Sequence, residues 1–378
     1  MTVEKRFFTF GDAENGLLLE SGRRFGPVTL AYETLGTLDA ERSNAVLICH
    51  ALTGDSHVSG RYTDGDGKPG WWDTMVGPGK GIDTDRYFVI CSNILGGCMG
   101  SSGPSSIDPA TGEPYGTVFP LVTIGDMVRA QEKLVNHLGI DKLHAVVGGS
   151  LGGMQALTWS HHYPDRVGGV VVLASTLRHS ALAIAFNEVA RQAIVSDPNW
   201  NKGFYYAGEK KPSLGLSVAR MIGHITYLSD ASMRQKFGRR LQDKEDFSFD
   251  FDTDFQVESY LRYQGAKFVE RFDANSLLYI TKAADYFDLS RYDDAPEVLE
   301  RLRTAGAKFL VVSYTSDWLY PTYQSRDIVR VLKRNGLDVS FCEIEADCGH
   351  DAFLLPNDRL SAMMAGFLAG LRAKRGGC

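Results

Sequence analysis

Apolar residues recur along this chain in two rhythms. Short apolar runs fall at residues 46–49 (V-L-I-C), 86–92, 145–147 (A-V-V), 167–174, 308–314 and 339–344. Runs of this length predict buried strands, and residues 16–20 and 27–34 read as further short ones. Between them, apolar positions three and four apart predict helices at 124–138, 154–161 (stopped by Pro164), 323–334 and from 358 onward. Strands alternating with helices imply a mostly parallel central sheet covered on both faces, an α/β architecture.

The rhythm changes after residue 176. Helices are predicted at 181–195, 214–228, 255–268 and 274–286 with no strand between them. Asp197-Pro198 ends the first, and Asp273 is a suitable N-cap for the last. Alternation resumes with a helix at 296–304. A helical block that interrupts such an alternation reads as an insertion between two core strands. The expected organisation is a core of residues 1–178 and 296–378, with a helical lid of residues 179–295.

The chemistry enters at the strand ending near residue 147. It runs into G-G-S-L-G-G, so Gly148-x-Ser150-x-Gly152 lies between a strand and a helix. That is the setting of a nucleophile elbow: the glycines let the backbone turn sharply while the serine hydroxyl projects, with a helix N-terminus behind it. A serine needs a base to act as a nucleophile, and the base needs a carboxylate to orient it. In this arrangement the partners follow the serine as Asp or Glu, then His. Asp317 follows the strand 308–314 in T-S-D-W, and His350 follows the strand 339–344 in C-G-H-D. Singly, Asp317 is equally a helix cap and His350 a loop histidine; their order after Ser150 joins them. The backbone amides of Leu151, after the nucleophile, and Leu52, in the H-A-L-T-G loop after strand 46–49, are the candidate oxyanion donors.

Composition narrows the setting. The chain has 378 residues, enough for one elaborated domain or a domain with an insert, and its 44% hydrophobic and 23% charged content is ordinary for a globular protein. A net charge of -6 without a long basic run argues against nucleic-acid or membrane-surface partners. The N-terminus M-T-V-E-K-R-F-F lacks the apolar region of a signal peptide, and no apolar run reaches membrane-spanning length. Cys49, Cys91, Cys98, Cys342, Cys348 and Cys378 form neither a C-x-x-C pair nor a zinc spacing. Free thiols, no metal and a cytoplasmic location are therefore expected.

The segments I-C-H-A-L-T-G, P-G-W-W-D, N-I-L-G-G-C-M-G-S-S-G-P, G-G-S-L-G-G-M-Q-A-L, F-N-E-V-A-R-Q-A-I, A-R-M-I-G-H-I-T-Y-L-S, F-Q-V-E-S-Y-L-R-Y-Q-G and G-H-D-A-F closely resemble the homoserine O-acyltransferases of the α/β-hydrolase superfamily. The resemblance runs almost from end to end and includes the lid. It implies the α/β-hydrolase fold and transfer of an acyl group from acyl-CoA to L-homoserine through an acyl-serine intermediate, a step towards methionine. It implies a homodimer joined through the lid helices, and no permanently bound cofactor. Ser150, Asp317 and His350 fall on the family's triad positions.

By the same resemblance, Arg220, Tyr227 and Asp351 hold the acceptor. Arg220 and Tyr227 are two turns apart on one predicted helix, so they share a face, where His224 is a packing residue. Arg220 can grip a carboxylate in bidentate fashion and Asp351 can hold an ammonium. Some members use succinyl-CoA and others acetyl-CoA. The succinyl-using members carry an arginine after the Asp-Trp pair where this chain has Leu319, which favours acetyl-CoA as co-substrate. Succinyl transfer, acylation of serine, and an esterase or thioesterase with the same triad are the alternative activities. The motif G-G-C-M-G-S-S-G lacks the features of nucleotide-binding fingerprints, so no residue is assigned to the CoA nucleotide.

Overall fold

Eight strands make the central sheet: β1 (Arg6–Phe10), β2 (Val28–Leu35), β3 (Ala45–Cys49), β4 (Phe88–Ser92), β5 (Ala145–Gly149), β6 (Gly169–Leu173), β7 (Lys308–Tyr314) and β8 (Asp338–Ile344). The computed structural model describes residues 1–62, 67–290 and 296–372. Spatial order is β1-β2-β4-β3-β5-β6-β7-β8. The β1–β2 and β2–β4 pairs are antiparallel, and every later pair is parallel.

The side-chain period of two divides the core between the two faces of the sheet. Leu47, Val146, Val172 and Val311 join one apolar cluster, and their chain neighbours Ile48, Val147, Val171 and Val312 join the other. Helices cover both faces, so the inner strands tolerate no polar alternation: A-V-L-I-C and G-V-V-V-L are buried throughout.

The helices of the core are α1 (Ile124–His137), then α2 (Leu151–His162). Those of the inserted block are α3 (Ala181–Val195), α4 (Ser213–Tyr227), α5 (Asp230–Lys236), α6 (Gln256–Val269) and α7 (Ala274–Asp285). After these come α8 (Pro296–Thr304), α9 (Thr322–Arg334) and α10 (Asp358–Arg372). Local chemistry sets several of their starts. Thr123 and Asp126 form a reciprocal capping box on α1, Ser180 caps α3, and Asp273 caps α7.

The inserted helices leave and rejoin the core at one place. Arg178 and Asp288 form an antiparallel bridge, with Leu289 N–H donating to Leu177 O (2.7 Å) and His179 N–H to Phe287 O (3.2 Å). This two-stranded stem fixes the helical block above the carboxyl ends of β6 and β7. The last expected lid residues, 291–295, and Cys378 lie outside the described residues.

The differences from the sequence expectation include β1, the strand at 16–20 and α5. The strand β1 was not expected, because R-F-F-T-F forms an edge with Phe7 60% exposed and shows no clean alternation. The strand expected over 16–20 contracts to the pair Leu17–Leu18. Helix α5, seven mostly polar residues capped by Ser229, is too short to show a period.

Candidate active site

Ser150 sits at the turn from β5 into α2 with φ 57° and ψ -124°, a conformation that side chains rarely adopt. Close packing enforces it. A Cβ on Gly148 would stand 2.0 Å from Gly152 O, and one on Gly152 would stand 2.0 Å from Cys49 O. Ser150 N–H donates to Leu173 O (2.9 Å), and Ser150 O accepts from the Ser175 hydroxyl (2.8 Å). The turn is thus clamped to β6.

Asp317 and His350 lie beyond the ends of β7 and β8, and both are buried. His350 Nδ1–H donates to Asp317 Oδ2 at 2.8 Å, while Asp317 Oδ1 accepts the N–H groups of Leu319 (3.0 Å) and Tyr320 (2.9 Å). Both carboxylate oxygens are therefore engaged, and the ring can turn only Nε2 outward. Burial opposes charge on His350, but the charge and hydrogen bond of Asp317, with the charge of Asp351, outweigh it and raise its pKa.

The expected first link of the relay, from the Ser150 hydroxyl to His350, is not formed among the described residues. Ser150 and Tyr320 share the wall of one cavity. Tyr320 O–H lies 3.0 Å from His179 Nε2, and His179 Nδ1 lies 3.2 Å from Asp285 Oδ1. Asp285 is held by Arg191 (2.7 Å) and Asn187 (2.8 Å). This second polar chain draws on the stem and the lid, so its members are remote in sequence. Their one sequence signal is position: His179 follows β6 and Tyr320 lies three residues after Asp317.

Ser150, Leu52, Leu151, Arg220, Tyr227, Leu319, Tyr320 and His179 line one cavity of about 70 Å³ between the sheet and the lid. Leu151 opens α2, so its N–H has no carbonyl a turn earlier. Leu52 lies in the turn after β3, which His50 organises. His50 Nε2 accepts from Ile94 N–H (3.1 Å), leaving Nδ1–H to donate to Ala51 O (2.7 Å). Neither the Leu52 nor the Leu151 amide has an acceptor among the described residues.

Arg220 and Tyr227 come from α4, with the guanidinium over the Tyr227 ring (5.8 Å) and the Phe268 ring (4.7 Å). Arg220 Nη1 also donates to the Thr53 hydroxyl (3.2 Å), a partner the sequence did not reveal. Asp351 follows His350; burial raises its carboxyl pKa, countered by His350 and Arg220. His350 meets the cavity wall through the rings of Tyr320 (5.1 Å) and Tyr227 (6.1 Å). His224 accepts a hydrogen bond at Nδ1 from Tyr260 (2.9 Å), and burial with the charge of Arg220 lowers its pKa to about 4.

A family model for the alpha/beta hydrolase fold matches residues 44–356. The homoserine O-acetyltransferase of Solidesulfovibrio magneticus is 67% identical over 367 residues, covering 97% of this chain and 92% of the relative. The crystal structure of homoserine O-acetyltransferase from Bacillus anthracis is similar at a TM-score of 0.89 and 32% identity, covering 97% of this chain and 98% of that one. Esterase E22 is similar at a TM-score of 0.87 and 31% identity, covering 97% of this chain and 100% of that one.

Proposed function

This chain belongs to the homoserine O-acetyltransferases, within the α/β-hydrolase fold, and from that premise we propose how its side chains carry the transfer. Acetyl-CoA is the co-substrate, and the product is O-acetyl-L-homoserine, which leads towards methionine. The observation that carries the mechanism is that Ser150, Leu151, Arg220 and Tyr227 line one cavity, with the 2.8 Å Asp317–His350 pair at its wall.

The Ser150 hydroxyl turns to His350, which removes its proton as the oxygen attacks the thioester carbon. The amides of Leu52 and Leu151 bind the oxyanion, and losing one such donor costs ~2.7–4 kcal/mol of transition-state stabilisation. The intermediate collapses with cleavage of the C–S bond, and His350 returns the proton to the departing thiol. The chain now carries an acetyl ester on Ser150.

Homoserine enters with its carboxylate on Arg220 and its ammonium on Asp351, against Tyr227. His350 removes the proton of the homoserine hydroxyl, which attacks the ester carbon. Collapse of this second intermediate breaks the ester bond to Ser150, and the proton returns to the serine. Water at the same position would hydrolyse the ester, so the lid must exclude it.

The described helices of the insertion, α3 to α7, form the lid and also the surface for a second copy of the chain. Leu214, Val218 and Ile225 present an apolar face of α4 outward, with Leu214 74% exposed. The five described cysteines are free, which fits a reducing, cytoplasmic setting. Among the described residues no helix is long and apolar enough to cross a membrane.

The test is acyl-enzyme trapping. Mass spectrometry after mixing with acetyl-CoA alone should show one added acetyl group on the peptide holding Ser150, discharged by homoserine. Ser150→Ala should give neither adduct nor product. Release of CoA at an undiminished rate without homoserine would make the protein a hydrolase, as esterase E22 is named.

A further inference from the structure

A second cavity, of about 420 Å³, opens beside the one that holds Ser150, and the two share Thr53, Arg220 and Phe268 in their walls. Four cations line it, Lys68, Arg220, Lys267 and Arg271, against one carboxylate, Asp55. None of the four has an ion-pair partner among the described residues. Arg220 and Arg271 lie over the same Phe268 ring, 4.7 and 5.2 Å from its centroid. Both are also tied to Thr53: Arg220 Nη1 donates to its hydroxyl and Arg271 Nη1 to its carbonyl, each at 3.2 Å. Burial and the nearby charge of Arg220 lower the pKa of Arg271. Like charges fixed this close in one wall favour an anion there.

The position of α6 accounts for only part of this. Cations near a helix C-terminus meet the negative end of its dipole, which suits Lys267 and Arg271. Lys68 comes from the loop after β3, and Arg220 from the middle of α4. Convergence from three separate segments onto one opening needs another reason.

We infer that this vestibule binds the phosphate groups at the nucleotide end of the thioester donor, with Lys68, Lys267 and Arg271 as the outer contacts. The inference rests on the reading above that acetyl-CoA is the donor. The shared wall gives the arm of the donor a route from the vestibule to Ser150. The chain lacks a glycine-rich phosphate loop, so charged side chains must supply the contacts that backbone amides provide elsewhere.

The double variant Lys267→Glu/Arg271→Glu tests it. Two parallel measurements are needed: transfer to homoserine from acetyl-CoA and from S-acetyl-N-acetylcysteamine, the same thioester without phosphates, and calorimetric titration of CoA. With acetyl-CoA, KM should rise about tenfold or more as charge-assisted contacts are lost, and CoA should bind more weakly by a similar factor. The truncated thioester should react as with the wild type. Added salt should weaken CoA binding to the wild type and far less to the variant. Unchanged CoA affinity, or an equal loss with both thioesters, would overturn the inference. A wild type that binds CoA but never acetylates homoserine would defeat the transfer reading, while the titrations still decide the phosphate site.

Discussion

The Tyr320 hydroxyl stands 3.0 Å from His179 Nε2, and Tyr320 lines the cavity that holds Ser150. Two chains of polar groups anchored on carboxylates therefore flank the cavity of Ser150, Asp317 through His350 on one side and Asp285 through His179 on the other. Only the first can accept a proton during attack, since His350 carries a raised pKa, and burial pushes that of Tyr320 up as well.

Tyr320→Phe removes a hydroxyl from the cavity wall that can compete with His350 for the Ser150 hydroxyl, and so should speed acylation. A hydrogen bond of this kind is worth about 0.5–1.5 kcal/mol, which limits the gain to roughly tenfold in the burst with p-nitrophenyl acetate. The fold should weaken, because His179 Nε2 loses its partner at a cost of about 1–3 kcal/mol. A tenfold or greater fall in the acylation rate would instead make Tyr320 a participant in the transition state.

At the elbow, Gly148→Ala and Gly152→Ala each drive a methyl group to 2.0 Å from a backbone oxygen. One oxygen belongs to the first turn of α2 and the other to the end of β3, both regular elements packed against the elbow. Each substitution should cost about 3 kcal/mol or more in denaturant unfolding, with loss of acylation. Gly366→Ala on α10, with nothing within 4 Å of the added carbon, should be neutral or stabilising by up to about 1 kcal/mol. Equal effects at all three positions would show that packing at the elbow is not what excludes a side chain.

That contrast also explains what the sequence made legible. The elbow is local: strand, turn and helix lie within twenty residues, and crowding at two glycines writes itself into the spacing. Asp317 and His350 could be read because each directly follows an apolar strand and their order is constrained. The chain through Tyr320, His179 and Asp285 has no such signature, since its hydrogen bonds join residues 141 and 106 positions apart. Thr53, Arg271 and Lys68 were equally hidden, because only folding of α4 and α6 over the β3 loop brings them together.

Leu319 is buried in the wall of the cavity, so an acyl group bound there would meet an apolar side chain. Leu319→Arg would introduce a cation that suits a second carboxylate and poorly accommodates a methyl group. The kcat/KM for acetyl-CoA should fall about tenfold or more, and succinyl transfer to homoserine should become measurable, both followed by product mass. Retained acetyl preference would place donor selection elsewhere.

In the proposed mechanism Asp351 acts on the same reaction in two separable ways. Its charge is one cause of the raised His350 pKa, and His350 must be neutral to take a proton. Acylation is therefore lost as pH falls through a value above the ordinary 6.5. In Asp351→Asn that charge is gone, the His350 pKa drops, and the acid limb of acylation by p-nitrophenyl acetate should move to lower pH. The Asp317 contribution remains, so the limb should stay well defined. Homoserine, by contrast, loses the partner of its ammonium, and its KM should rise about tenfold or more with little change in the acylation burst. A rise in KM without movement of the limb would mean that Asp351 binds the acceptor but leaves the His350 proton unaffected. Movement of the limb without a rise in KM would remove Asp351 from the acceptor site.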